Sequence, residues 1–420
     1  MGLLIGCIAD DLTGATDVAV TFSREGLSVI QVNGVPDATF QTPDADVIVV
    51  ALKSRTMPVD GAIAQSLAAL AWLRDRGAQQ IYFKICSTFD STPVGNVGPV
   101  ADALCDAIGA RLNIVTPAYP RNARTVYQGH LFVGEALLSD TGMRTHPLTP
   151  MTDSNLVRVL GMQTSRRVGL LPYSVVAQGE AAARRTLGEL ADAGCRHVIA
   201  DAIDDAQLET LGKMLSREVL ATGGSGLATG MASSLRKTDR TKAGAVLAWP
   251  RGPGVILAGS CSTATLAQLA AVKDVLPSRS LPPLELAQEG SAVISATIDW
   301  AKGQLGERPV LICSSAPPDQ VAAAQAELGR ERAAQLVEDA MRRIARELAA
   351  TGVKRFVIAG GDTSGAVVEA LGVRALSIGP EIAPGVPWAL AADGTDYALA
   401  LKSGNFGGVD FFVRAFEVAP

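Results

Sequence analysis

The chain has 420 residues, enough for two or three domains at roughly 150 residues each. Hydrophobic residues are 48% and charged residues 19%, a composition that fills a sizeable core and excludes disorder as the main state. The formal net charge is -5, from 37 Lys+Arg against 42 Asp+Glu, and no basic block interrupts the chain, which argues against electrostatic nucleic-acid binding. The six cysteines, Cys7, Cys86, Cys105, Cys195, Cys261 and Cys313, include no CxxC pair, so zinc clusters and thioredoxin-like motifs are not expected, and their sparseness fits a reducing compartment. The opening MGLLIGCIADD has no basic n-region and too short an apolar stretch for a secretion signal, and no apolar run approaches the ~18 residues of a membrane span. A cytoplasmic protein without membrane contact is expected.

In chain order, Leu3–Ala9 reads as a buried strand and Ala15–Glu25 as a helix. Between them stands Ala9-Asp10-Asp11-Leu12-Thr13-Gly14-Ala15-Thr16-Asp17. Ligands of open α/β sheets bind at the carboxyl ends of strands, and two adjacent acids there can hold a polyol or take a proton from a hydroxyl. Asp11 or Thr13 can equally serve only as the cap of the helix. A strand at Val47–Ala51, a helix at Gly61–Arg76 and a strand at Gln80–Lys84 follow. The last strand runs into Lys84-Ile85-Cys86-Ser87-Thr88-Phe89-Asp90-Ser91-Thr92-Pro93 and on to Pro99, where a lysine and close-set hydroxyls can hold a carboxylate or phosphate. After a strand at Asn113–Thr116 comes Pro117–His130, in which Arg124 offers a fork for a carboxylate. His146–Leu156 reads as a loop followed by a helix capped by Thr152 or Asp153. A helix at Glu180–Ala193 and a strand at His197–Ala200 continue the alternation. Gly224–Gly230 approaches a GxGxxG fingerprint but is one residue too long and has no clear strand before it, so a tight turn is expected.

The polar stretch Ser233–Ala243 and the breaker cluster Trp249–Gly254 put a boundary near 230–250, giving domains at 1–235 and 245–420. Beyond it, strands are expected at Val255–Gly259, Val310–Ser314, Phe356–Ala359 and Tyr397–Leu401, and a helix at Glu331–Ala350. Pro-rich Leu276–Leu284 reads as a loop. Gly259-Ser260-Cys261-Ser262, Gly360-Gly361-Asp362-Thr363-Ser364-Gly365 and Ser403–Gly408 each follow a strand, and the second opens a helix at Ala366–Leu371. Three small-residue loops at the strand ends of one domain favour nucleotide phosphates, which approach bare backbone N–H groups. No P-loop, HExxH, GxSxG or kinase HRD/DFG motif is present. Strand and helix alternate through both halves. The fold class expected is α/β in two domains, each a mostly parallel sheet flanked by helices, with an active-site cleft between them.

Taken together, Ala9–Asp17, Lys84–Pro99, Pro117–Phe132, Gly259–Ser262, Gly360–Gly365 and Ser403–Gly407 resemble the four-carbon acid sugar kinase family over nearly the whole chain. Cys86–Pro93 and His146–Leu156 look like its 3-oxo-tetronate kinase branch. The resemblance implies a sugar-acid-binding first domain, a nucleotide-binding second domain and ATP-dependent phosphorylation of the 4-hydroxyl of a 3-oxo-tetronate. It implies ATP contacts at Ser260, Gly360, Gly361, Asp362, Thr363 and Gly404, with Mg²⁺ as companion. Asp362 stands where the family often has Glu, so a carboxylate is kept on a shorter arm. Substrate recognition is expected of Asp10, Asp11, Lys84, Ser87 and Arg124, and the proton acceptor is Asp11 or Asp10, with Asp11 favoured. The partners expected are a small-molecule sugar acid and ATP, with no nucleic acid and no membrane, and a homo-oligomer is left open. Two other readings compete. One is an NAD-dependent sugar-acid dehydrogenase using Gly224–Gly230. The other is a non-catalytic sugar-acid-binding protein, which leaves the three glycine loops without a purpose.

Overall fold

The computed structural model describes residues 2–145, 149–215, 219–235 and 248–418. The chain forms two compact units, Met1–Ala243 and Gly244–Pro420. His146 and residues 236–243 of the expected linker lie outside the described residues.

The first unit is built on β1 (Ile5–Ala9), β2 (Val29–Asn33), β3 (Val47–Ala51), β4 (Gln80–Lys84) and β5 (Leu112–Thr116). A small antiparallel sheet, β6 (Arg124–Tyr127), β7 (His130–Val133) and β8 (Ala136–Leu137), follows before β9 (Arg167–Leu171), β10 (Cys195–Ala200) and β11 (Val219–Gly223). The main sheet runs β2-β3-β1-β4-β11-β5-β10-β9, and all its pairings are parallel. IGCIA of β1 and VIVVA of β3 are buried at every residue, as strands covered by helices on both faces must be. Those helices are α1 (Leu12–Arg24), α2 (Val59–Asp75), α3 (Val97–Ile108), α4 (Leu156–Gly161), the single turn α5 (Tyr173–Val176), α6 (Glu180–Asp192), α7 (Asp205–Met214) and α8 (Ser225–Leu235).

Strands β2, β9 and β11 and the small sheet β6–β8 were not expected from the sequence. Finding β11 corrects the view of Gly224–Gly230, which follows a strand after all and forms the start of a buried helix rather than a tight turn. A Cβ at Gly212 on α7 would fall on the Gly230 carbonyl, and one at Gly230 would fall on the Leu208 carbonyl. One at Gly226 would strike the Ala118 carbonyl. These glycines let backbones touch and leave no room for a dinucleotide. The helix after His146 is α4, and its cap is Asn155, which accepts from the Arg158 N–H at 3.1 Å, not Thr152 or Asp153. Asp153 instead accepts the N–H of Asn155 itself at 2.9 Å.

The second unit comprises β12 (Gly254–Ala258), β13 (Ser278–Ser280), β14 (Val310–Cys313), β15 (Arg355–Ala359), β16 (Ala375–Ala383), β17 (Val386–Ala391) and β18 (Ala398–Lys402). Their order is β13-β14-β12-β15-β18-β17-β16, parallel as far as β18, after which β17 and β16 reverse. Its helices are α9 (Thr263–Val272), α10 (Pro283–Glu289), α11 (Ser291–Gln304), α12 (Pro318–Leu328), α13 (Arg330–Ala350), α14 (Gly361–Ala370) and α15 (Phe411–Glu417). Ile256, Val357, Trp388, Phe411 and Phe412 centre its core, and Trp388 Nε1 donates to the Ala415 carbonyl at 2.7 Å.

Leu276–Leu284 is not a simple loop, because it contains β13 and the start of α10. Its prolines are tolerated at an edge strand and at the first turn of a helix. The helix after the Gly360 turn begins at Gly361, five residues before the expected start, so its glycines form the first helical turn. Among the described residues no helix is long and apolar enough to cross a membrane.

Candidate functional site

Asp10 and Asp11 follow β1 directly, and their surroundings differ. Asp10 is 5% exposed, and Arg55 grips both its oxygens, donating from Nε to Oδ2 at 3.0 Å and from an NH2 group to Oδ1 at 2.8 Å. Burial pushes the Asp10 carboxyl up, against the pull of Arg55. Asp11 has a quarter of its side chain exposed and caps α1, accepting from the Gly14 N–H at 2.9 Å. It also accepts from the Thr13 hydroxyl at 2.9 Å and from Arg55 at 2.8 Å. Burial works against the Asp11 charge, but Arg55, Lys84 and these two donors outweigh it and hold the carboxyl below its ordinary range.

Sequence reasoning missed Arg55. It lies 45 residues from Asp10 and arrives through β3, the neighbour of β1, whose exit loop crosses the Asp10 backbone. The N–H groups of Ser54 and Arg55 donate to the Asp10 carbonyl at 3.0 and 3.2 Å. Asn96, within the Lys84–Pro99 motif, fixes that loop by donating to the carbonyls of Ser54 at 2.7 Å and Met57 at 2.8 Å. A residue after a strand that pairs with β1 is the signal that would have found it.

Lys84 ends β4, in register with Ala9, and is 2% exposed. Its ammonium donates to the Ile85 carbonyl at 2.8 Å and lowers the carboxyl groups of Asp10, Asp11 and Asp17. A Cβ on Gly14 would overlap Asp11 Oδ1 and stand 3.1 Å from Lys84 Nζ, which is why glycine is needed in this turn. Asp17, on α1, accepts from the Ser225 hydroxyl, and burial pushes its carboxyl up. The first strand end therefore gathers Asp10, Asp11, Asp17, Lys84 and Arg55. Ser87 packs beside Gly224, with its Cβ 3.3 Å from where a Gly224 Cβ would be. Arg124 begins β6 in the small sheet and donates to the Asn122 carbonyl, while its buried Nε has no partner. Among the described residues no hydrogen bond or ion pair joins Arg124 to the aspartate cluster.

In the second unit the three small-residue strand ends converge on a cavity of about 660 Å³, a volume typical of small-molecule sites. Ser260, Gly360, Gly361, Asp362, Thr363 and Gly404, all expected from sequence, line one end. Leu284, Val321 and Val337 add apolar surface elsewhere in the lining, together with the polar Gln320, Gln325, Arg330 and Glu338. Gly360 has φ +125°, where a side chain is strained, and a Cβ there would lie 3.2 Å from the Ser260 nitrogen. A Cβ on Gly361 would meet nothing within 4 Å. The first turn of α14 thus opens bare N–H groups and the positive end of the helix dipole to the cavity. Ser314, after β14, was not singled out from sequence. It lines the cavity, is 5% exposed, and its hydroxyl has no partner. Among the described residues no group of three or more His, Cys, Asp or Glu stands ready to hold a metal alone.

The family models place the same two halves in the chain. A sugar-binding N-terminal domain matches residues 5–231 and a nucleotide-binding C-terminal domain matches residues 255–412. The 3-oxo-tetronate kinase of Cupriavidus necator is 53% identical over 99% of this chain and 96% of its own. That of Pseudomonas fluorescens is 51% identical over 98% of this chain and 96% of its own. The crystal structure of a Salmonella typhimurium protein, 43% identical, superposes with a TM-score of 0.87 and covers 98% of both chains. A Haemophilus influenzae protein, 41% identical, gives 0.79 over 99% of this chain and 100% of its own.

Proposed function

This chain belongs to the four-carbon acid sugar kinase family, and we propose that it transfers the γ-phosphoryl group of ATP to the 4-hydroxyl of a 3-oxo-tetronate of the 3-dehydro-erythronate type. The product is the 3-oxo-tetronate 4-phosphate, in sugar-acid catabolism. The observation that carries this reading is the single cavity on which three glycine and hydroxyl strand ends converge, open at the first turn of α14. Residues 1–235 take the sugar acid and 245–420 take the nucleotide. Six cysteines without a disulfide support a cytoplasmic setting.

Phosphoryl transfer asks a protein for position and charge more than for covalent chemistry. The N–H groups of Gly361, Asp362 and Thr363 hold phosphate oxygens, with Ser260 and Gly404 flanking them, and the apolar part of the lining takes the base. Mg²⁺ neutralises phosphate charge when bound. It keeps waters and phosphate oxygens as most of its ligands and needs only one or two carboxylates, a role that the exposed Asp362 beside the cavity fits.

Lys84 and Arg124 hold the carboxylate of the sugar acid, and Asp10, Asp11 and Ser87 hold its oxygens. Asp11 takes the proton of the 4-hydroxyl. Its carboxylate is the more exposed of the pair and stays ionised, whereas Asp10 is enclosed with both oxygens on Arg55 and sets the position of that guanidinium. An ADP-release assay across four-carbon sugar acids with and without the 3-oxo group tests the reading. Turnover confined to 3-oxo acids is expected; turnover only of acids lacking that group, or of none, overturns it.

A further inference from the structure

Lys402 ends β18 and is fully buried. Its ammonium donates to Thr265 Oγ1 at 3.0 Å, to the Gly404 carbonyl at 2.9 Å and to the Ser403 carbonyl at 3.1 Å. All three donors of the ammonium are thereby used on neutral oxygens, and among the described residues it makes no ion pair with a carboxylate. Its backbone carbonyl receives the Gly360 N–H at 2.9 Å. Ser262 and Thr265, after the Ser260 turn, donate to the same Gly404 carbonyl at 2.6 and 2.9 Å. One residue therefore ties together all three strand ends that line the cavity. Burial pushes the ammonium down to about 8. A buried charge without a counter-charge is costly to a fold unless something else compensates it. The cavity in front of these loops is where an anion would do so.

We propose that Lys402 is a positioning residue for the nucleotide: it locks the Ser260, Gly360 and Gly404 turns into one surface and sets behind them the positive charge that a polyphosphate neutralises. The inference rests on the nucleotide reading of this cavity. It requires that the contribution of Lys402 grow with the number of phosphates, which a residue serving only the fold would not show.

Titration calorimetry with ADP, AMP and adenosine tests it in the full chain. Lys402→Met is expected to weaken ADP about tenfold to a hundredfold, the worth of a charge-assisted interaction, to weaken AMP less, and to leave adenosine nearly unchanged. Lys402→Arg, which keeps the charge, recovers part of the ADP affinity. An equal loss for ADP and adenosine, or no loss for either, overturns the proposal. If Lys402→Met does not fold, Thr265→Val removes a partner of the ammonium while the charge remains. A larger loss for ADP than for adenosine supports the proposal in that variant, and equal losses overturn it. A wild-type protein that binds no nucleotide overturns the reading of the cavity itself, whereas a wild type that binds ADP beside an unaltered Lys402→Met overturns only the role of Lys402.

Discussion

Each unit ends a central parallel strand on a buried lysine, and the two lysines live in opposite electrostatic company. Lys84 acts on Asp10, Asp11 and Asp17 and shares the first two with Arg55. Lys402 faces carbonyl and hydroxyl oxygens and, at 5.8 Å, the Phe411 ring, and among the described residues no carboxylate. The first strand end carries its own anions and is suited to grip hydroxyls and accept a proton. The second is a cradle of backbone and hydroxyl groups with a cation behind it, suited to receive an anion, in a cavity that Asp362, Arg330 and Glu338 also line. The same position in the same architecture thus supports two chemistries, and the neighbours decide which.

The largest effect expected on this contrast is at Asp11. Asn is a good helix cap but takes no proton, so Asp11→Asn should lower kcat by ~10²–10⁴-fold, with a smaller fall in melting temperature from the lost charge beside Arg55 and Lys84. ADP release and a thermal melt on one sample check both. Near-normal kcat there, with collapse in Asp10→Asn, moves the base to Asp10; near-normal kcat in both variants removes the role from either.

At the second strand end the sharpest probe is Gly361→Ala. The added methyl meets nothing within 4 Å in the protein, so melting should be unchanged while ADP affinity drops about tenfold, the value of one strong hydrogen bond to a charged group. Gly404→Ala should lose both, since its Cβ would strike Ser260 Oγ. Unchanged ADP binding in Gly361→Ala would remove the first turn of α14 from the phosphate site.

Lys84→Met tests the charged side. It should raise the sugar-acid KM with little change for ATP, and destabilise the protein at pH 7, because Asp10, Asp11 and Asp17 lose a buried cation that favours their ionised forms. The sign with pH follows from Asp11. Its folded carboxyl titrates below the unfolded one, so its stabilisation is present above roughly pH 4 and fades as pH falls through the lowered folded value. Melting of variant and wild type should therefore converge in acid. A gap that stays constant with pH would mean that packing, not charge, is what Lys84 supplies.

The smallest effect is expected at Arg124, which stands outside the aspartate cluster. Arg124→Lys keeps the charge but loses the fork, and a rise of about fivefold in sugar-acid KM, near 1 kcal/mol, with kcat unchanged is expected from steady-state kinetics. An unchanged KM would remove Arg124 from the substrate site.

The strand ends were legible because a buried apolar run followed by Asp-Asp, Lys or Gly-Ser has few other readings. What escaped was whatever topology brings together. Arg55 joins Asp10 because β3 pairs with β1, an adjacency no local pattern states. Lys402 escaped because a lysine at the end of an apolar strand reads as the step back to solvent, whereas here the strand continues by one residue into the core. β11 was hidden by its glycine and threonine, residues that signal turns, although Thr222 is buried and donates to Asn113 at 2.9 Å. The glycines of Gly224–Gly230 read as a tight turn for a related reason: bare backbone serves a turn or the close approach of another helix equally well, and the order of residues does not say which.

With Asp11 as the proposed base, the cap it forms on α1 bears on how the site clears itself between turnovers. A carboxyl group that has accepted a proton keeps an acceptor oxygen for the Gly14 N–H but gives up the charge held by the Thr13 hydroxyl and the Arg55 guanidinium. The folded protein favours the ionised carboxylate, so the proton-loaded state is the less stable one. For a base at this position the fold acts as a restoring spring, because stability lost in the proton-loaded state favours release of the proton.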